Sequence, residues 1–371
     1  MTGRLVLFFT RGVSLRTWSM VGMLHRETAL YKRMIQRGLE VGFVTYGDET
    51  DLSYAKELGD IRILCNSDGL PLPQYEEELA EIHRKELERA HVVKTNQTYG
   101  ADIALHAARR YDKPLIARCG YMWSWTAGME HGIDSAAAEH ARRMEETVFS
   151  AARRVVVTAD AMRSDIVERI PGTESRIRVI PNYVDTDQFR PIGIPRDSNT
   201  AVFVGRLSSE KNLAPLLEAT LSLGMSLVVI GEGRLRPQLQ EMYPDADGRV
   251  RWEGNVPNHR LPHYLNDATV FVLPSLYEGH PKVLIEAMAC GLPVLGADSP
   301  GIRDVIEHEV NGYLCSPDAK GIRHALEQLL KNPSLRAKIG CNARKFAAEN
   351  YSLDRVLEME LALLKEVVVG T

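Results

Sequence analysis

Short apolar runs, each followed by a stretch of helical spacing, recur along the whole of this chain. Leu5–Phe9 reads as a buried strand, and residues 19–37 then carry helical spacing up to Gly38. Val41–Thr45, Ile61–Leu64, His91–Lys94, Leu115–Ala117 and Val155–Thr158 continue the strand series, with helices expected at 76–90, 101–110, 135–151 and 160–169. Strands written as apolar runs are buried on both faces, and helical crossovers between them make the sheet parallel. Arg178–Asp185 (RVIPNYVD) and Phe189–Arg196, with Pro191 and Pro195, then read as an interdomain linker.

The pattern restarts beyond it. Strands are expected at Ala201–Val204, Ser226–Ile230, Val250–Trp252, Val270–Leu273, Pro293–Leu295 and Tyr313–Leu314. Helices are expected at 211–222, 234–242, 260–266 and 281–290, with another from about Ile302. The tail from 319 to 368 is helical, with breaks near Pro333 and Tyr351. The fold class is therefore α/β: two doubly wound Rossmann-like domains facing a central cleft. The first is expected over residues 1–190 and the second over 191–350, with a C-terminal helix over 351–371. A chain of 371 residues suits two such cores. Ligands of these sheets bind beyond the carboxyl ends of the strands.

Composition narrows the function. The net charge is −4, without the strong positive excess of a nucleic-acid binder. The five cysteines, Cys65, Cys119, Cys290, Cys315 and Cys341, are odd in number and have no CxxC pair, which fits free thiols in a reducing compartment. The N-terminus has no signal-peptide profile, and no apolar stretch reaches the ~20 residues that span a bilayer. The expectation is a soluble cytoplasmic protein. Arg142-Arg143 and Arg153-Arg154 are candidates for peripheral contact with an anionic inner membrane face.

Two loops carry chemistry. In Phe203–Asn212 (FVGRLSSEKN) a strand ends at Gly205, and Arg206 and Lys211 follow before a helix. A close backbone approach, a guanidinium fork, an ammonium and a helix start together suit a diphosphate. The same loop could equally be a solvated turn with an Arg206–Glu210 surface pair. In Pro274–Val294 a strand ends at Pro274, Glu278 and Gly279 lie in a loop, and Pro281 stands where a helix begins. Glu286 lies inside an apolar helical run, where a carboxylate is costly without partners. It is placed to accept hydrogen bonds from vicinal hydroxyls such as those of a ribose; the plainer alternative is that it caps a neighbouring loop.

The motif EGxPxVLIEAMACGLPV from Glu278, with Glu278 and Glu286 spaced as E-x7-E, closely resembles the donor-site signature of glycosyltransferase family 4, whose members have the GT-B fold. Gly205–Asn212 resembles that family's diphosphate loop. Ile180–Phe189 resembles its interdomain stretch, and Gly301–Asp304 and Asn311–Leu314 also fit. The resemblance implies that Arg206 and Lys211 stabilise a nucleoside-diphosphate leaving group and that Glu286 holds the ribose. It implies that Glu278 contacts the donor sugar, helped by backbone N–H groups near Gly279 and His280. Backbone groups around Gly254, Asn255 and Val256 would read the base. No metal or other cofactor is implied. The C-terminal helix would cross back to the first domain.

The first domain departs from the family pattern. The usual glycine pair of the first loop is reduced to Gly12, and the His usual near the reacting sugar is absent from Ala117–Trp123 (ARCGYMW). Asn96, Arg118, Tyr121 and Trp123 are the acceptor-side candidates. The aromatic cluster Tyr121, Met122, Trp123 and Trp125 could stack on an acceptor or pack internally. Cys119 reads as a small buried residue.

The expected function is thus a retaining glycosyltransferase that moves a sugar from a UDP- or GDP-sugar to a glycan or lipid-linked acceptor, in surface polysaccharide or glycoconjugate synthesis. A nucleotide-sugar epimerase and a non-catalytic sugar-nucleotide-binding protein of the same fold are the alternatives. A phosphorylase would need a phosphate site and a cofactor lysine for which no motif is present. Turnover with an acceptor separates these readings.

Overall fold

Leu5, Val6, Leu7 and Phe8 are all buried, although a strand alternates its side chains between faces. A run of this kind is stable only as a strand covered on both sides, and the strand Thr200–Val204 is buried throughout in the same way. The computed structural model describes residues 3–193, 199–243 and 248–369. The chain divides into two compact units: Met1–Pro181 together with Val356–Thr371, and Asn182–Arg355.

In the first unit, strands β1 (Gly3–Phe8), β2 (Leu39–Val44), β3 (Arg62–Leu64), β4 (Val92–Thr95), β5 (Leu115–Cys119), β6 (Arg154–Val157) and β7 (Ile177–Val179) form one sheet. Its order is β3-β2-β1-β4-β5-β6-β7, with every pairing parallel. The crossovers use helices α1 (Leu15–Met20), α2 (Leu24–Gln36), α3 (Ala55–Leu58), α4 (Leu72–Ile82), α5 (Arg84–Arg89), α6 (Ala101–Arg110), α7 (Trp123–His131), α8 (Ala136–Ala151) and α9 (Asp160–Arg169).

In the second unit, strands β8 (Thr200–Val204), β9 (Ser226–Ile230), β10 (Val250–Gly254), β11 (Val270–Leu273), β12 (Val294–Ala297) and β13 (Tyr313–Cys315) form a second parallel sheet, in the order β10-β9-β8-β11-β12-β13. Helices α10 (Leu213–Ser222), α11 (Arg236–Met242), α12 (Leu261–Asp267), α13 (Lys282–Ala289), α14 (Ala319–Lys331) and α15 (Pro333–Tyr351) cover it. A last helix, α16 (Leu353–Val369), belongs to the first unit from Val356 onwards. Among the described residues no helix is long and apolar enough to cross a membrane.

Several expectations are corrected. The units divide between Pro181 and Asn182 rather than at 190, because Val184 and Phe189 are buried in the second core. The Val184 amide donates to the Tyr351 carbonyl, and the Leu353 amide donates to Val184. Ile177–Val179, read in part as linker, is the edge strand β7. Of the expected linker, Ile194–Arg196 lies outside the described residues.

The helix expected over 19–37 is two helices, interrupted at Gly22, where φ is +75°. The one expected over 76–90 breaks at His83. The helix expected from Ile302 is only a turn. Ile302 and Ile306 pack so closely on Gly296 that a Cβ there would lie 2.5 Å from Ile302, and the chain then enters β13. Helix α7 stands where the sequence pattern leads to no expected helix.

Candidate active site

Strand order in the second unit reverses between β8 and β11, whose following loops diverge to opposite sides and open a crevice at the carboxyl edge. The loop after β8 carries Gly205, Arg206 and Lys211; the loop after β11 carries Glu278, Gly279 and His280. They meet across the crevice. Lys211 Nζ lies 2.6 Å from Glu278 Oε1, with both side chains largely buried. Ser275 Oγ donates to the same oxygen at 2.7 Å. Asn212, in the left-handed region at φ +53°, donates to the carbonyls of Pro274 (3.1 Å) and Pro317 (2.8 Å). The Leu276 amide donates to the Glu210 carbonyl at 2.8 Å, so the two loops are pinned together.

The backbone of Glu278 is also fixed. Its amide donates to Pro300 O at 2.9 Å, and Gly301 passes so close that a Cβ there would sit 2.1 Å from Glu278 O. The loops after β9 and β10 are laced into the same edge. The Gly205 amide donates to Ile230 O, and the Gly231 amide donates to Gly254 O at 2.7 Å. Gly231 has φ +129°, and a Cβ on it would lie 2.0 Å from Gly205 O, so only glycine fits there. Asn255 follows this junction and is exposed.

Arg206 is exposed and forms no pair with Glu210, which takes the Ser208 hydroxyl instead. Its guanidinium has no ion-pair partner among the described residues. Glu286, on α13, is 1% exposed, and Asn258 Nδ2 donates to its Oε1 at 2.9 Å. Gln188 Nε2 in turn donates to Asn258 Oδ1 at 3.2 Å. His280 packs its ring edge-on against Tyr351 at 4.8 Å, and its carbonyl accepts from Asn182 Nδ2 at 2.7 Å. Among the described residues no cluster of His, Cys, Asp or Glu is placed to hold a metal ion.

In the first unit strand order reverses between β1 and β4. Gly12, in the loop after β1, is exposed with φ +74°, and a Cβ there would meet nothing within 4 Å. The amides that open α1 just beyond it are already used. Asp51, fully buried, accepts from the amides of Leu15 (3.1 Å) and Arg16 (3.2 Å) and from Thr45 Oγ1 (2.7 Å). No sequence motif marked Asp51.

Asn96 and Arg118 come together at the ends of β4 and β5: Arg118 Nη1 donates to Asn96 O at 3.1 Å, and the Arg118 amide donates to Thr95 Oγ1 at 3.0 Å. Gln97 Oε1 accepts from the Gly120 amide at 2.8 Å. The aromatic cluster is dispersed. Tyr121 is exposed, while Trp123 sits half-buried between Tyr99 (4.9 Å) and His140 (5.5 Å). Trp125 donates from Nε1 to Asp165. Cys119 is fully buried, and burial pushes its thiol up to about 12.

Two doubly wound parallel-sheet units, the second with a basic and an acidic loop facing each other at its switch point, define a GT-B protein. Residues 28–188 match the family described as Glycosyltransferase Family 4, and residues 184–346 match Glycosyl transferases group 1. The chain belongs to the glycosyltransferase family 4 group of GT-B enzymes. It is 24% identical over 360 residues to the D-inositol 3-phosphate glycosyltransferase of Frankia alni, covering 85% of this chain and 87% of that protein. It is 27% identical over 254 residues to the alpha-maltose-1-phosphate synthase of Mycolicibacterium smegmatis, covering 60% of this chain and 66% of that protein, just under two thirds of its length. The fold is shared with the Anabaena protein HepE, solved in complex with UDP-glucose, at TM-score 0.76 and 17% identity over 98% of this chain and 99% of that one.

Proposed function

We propose that this chain is a retaining glycosyltransferase that takes its sugar from a UDP- or GDP-sugar and passes it to a glycan or lipid-linked acceptor. The observation that carries the reading is the meeting of Lys211 and Glu278 at the switch point, 2.6 Å apart, with exposed Arg206 on the same loop. The two cations would oppose the negative charge that grows on the diphosphate as the glycosidic bond breaks. Glu278 would hold the sugar hydroxyls, and Glu286, fixed by Asn258, would hold the ribose. Amides of Gly279 and His280 at the start of α13 would add hydrogen bonds. Pro281, which has no N–H, contributes none.

The acceptor hydroxyl attacks from the face that the diphosphate leaves. The bond to the acceptor oxygen forms as the bond to phosphate breaks, and the departing phosphate oxygen takes the acceptor's proton. With two cations in place the reaction would need no metal, so turnover should persist in chelator. The UDP-glucose bound by the Anabaena neighbour supports a nucleotide-sugar donor. The proposed setting is the cytoplasm, at the inner membrane face, in surface polysaccharide or glycoconjugate synthesis.

The test is thermal stabilisation by UDP, GDP, ADP and their sugars, for the wild type and Glu286→Ala. One nucleotide should raise the melting temperature of the wild type, and the variant should lose that response. A well-folded wild type indifferent to every nucleotide would refute the donor site.

A further inference from the structure

Glu278 receives two donors on one oxygen. Lys211 Nζ at 2.6 Å and Ser275 Oγ at 2.7 Å both reach Oε1, while Oε2 has no hydrogen-bond partner among the described residues. The donors differ in kind. Lys211 is an ammonium on a flexible stem, and a diphosphate carrying more negative charge than one carboxylate would draw it away. Ser275 cannot follow. It is fully buried, and its carbonyl is held by Ser299 Oγ at 2.7 Å. Its neighbours are tied down at Pro274 O by Asn212 (3.1 Å) and at the Leu276 amide by Glu210 (2.8 Å).

We propose that Ser275 is a positioning residue for the sugar end of the donor site: its hydroxyl keeps Glu278 Oε1 occupied when Lys211 turns to the diphosphate, and so presents Oε2 to a hydroxyl of the donor sugar. This rests on the donor-site reading above. Without Ser275 the carboxylate would swing free of its sugar-facing rotamer once Lys211 turns to the diphosphate. The Ser275 hydroxyl is spent on Glu278, so its contribution would reach the donor through that carboxylate and fall on the sugar end.

Dissociation constants of the full-length wild type, Ser275→Ala and Ser275→Thr separate the possibilities. The probes are UDP, GDP and ADP and their glucose, galactose, mannose and N-acetylglucosamine conjugates, and the pair used is the one the wild type binds best. Ser275→Ala should bind the bare diphosphate within about twofold of wild type. Losing one hydrogen bond to a charged group should weaken the matching nucleotide-sugar about tenfold.

Ser275→Thr keeps the hydroxyl and should recover most of that loss, with melting curves confirming that each variant is folded. Equal weakening toward both ligands would mean that Ser275 only maintains the loop, and unchanged affinity for the nucleotide-sugar would mean that it does nothing for Glu278; either result overturns the proposal. A wild type that binds no nucleotide refutes the donor-site reading itself, and the proposal with it. A wild type with normal binding and an indifferent Ser275→Ala refutes the proposal alone.

Discussion

Gly301 lies in neither acidic motif position, yet the placement of Glu278 depends on it. Its φ of +79° is open to glycine, and a Cβ there would meet backbone: Glu278 O at 2.1 Å and Gly279 O at 2.9 Å. Backbone cannot rotate away as a side-chain tip can. Gly301→Ala should therefore cost about 1–3 kcal/mol of stability and displace the loop that carries Glu278. A lowered melting temperature with weakened nucleotide-sugar binding is the expected result, measured by calorimetry and titration. Wild-type values for both would show that the loop relaxes freely. Glu278 and Glu286 were readable in the sequence because acids beside a glycine turn and inside an apolar helix are unusual. Ser275, Asn258 and Asp51 were not, because small polar residues and a loop Asp are common. Their roles depend on neighbours 3, 28 and 36 residues away along the chain.

At the scale of elements, the break between α4 and α5 has a consequence for pH. His83 stands at that break with its ring buried, and its Nε2 lies 2.8 Å from the Tyr75 hydroxyl, which donates to Thr45 O. Burial lowers the imidazole from its ordinary value of 6.5 to about 4. The unfolded chain thus takes up a proton near pH 6.5 that the folded chain refuses until about pH 4. The stability linked to His83 is full above pH 6.5 and is lost as pH falls toward 4. It amounts to about 3 kcal/mol. Melting temperature should fall on acidification from pH 7 to about 4.5, with His83→Gln showing the shallower slope; parallel slopes would remove His83 as the cause.

The break itself could not be read from the sequence, since neither Gly nor Pro marks it, whereas Gly22 marks the break between α1 and α2. Strands β1, β8, β9 and β11 were plain because both their faces are apolar. β7 lies beside a proline-containing stretch that reads as linker, and α7 is an aromatic run without helical period.

The whole molecule shows why the last helix cannot be spared. From Val356 onwards α16 belongs to the first unit, where Val356, Leu357, Leu363, Leu364 and Val367 are buried. Apolar packing alone would let the helix shift, but two polar contacts set its register. Glu366 takes Arg154 and Arg178 together, each at 2.6 Å, and the two guanidinium groups hold its carboxyl below the usual range. Deeper in, Lys94 on β4 is fully buried, with its ammonium 2.6 Å from both oxygens of Glu360. Burial pulls Lys94 below its ordinary value, and Glu360 opposes that shift. A cation in this position is tolerable only with its partner present. Deleting residues 352–371 removes the partner along with the apolar face, and should abolish cooperative unfolding of the first unit.

The sharper experiment uses single residues. Glu360→Gln should destabilise the protein by about 3–5 kcal/mol, because it leaves a buried charge unpaired, and adding Lys94→Met should recover much of that loss. Denaturant unfolding of wild type, both single variants and the double variant closes the cycle. If Glu360→Gln unfolds like wild type, Lys94 finds its compensation elsewhere and the helix is held by its apolar face and by Glu366. If the double variant recovers, the pair contributes register rather than net stability, and a sequence-distant carboxylate is what fixes α16 against the strand that leads into Asn96.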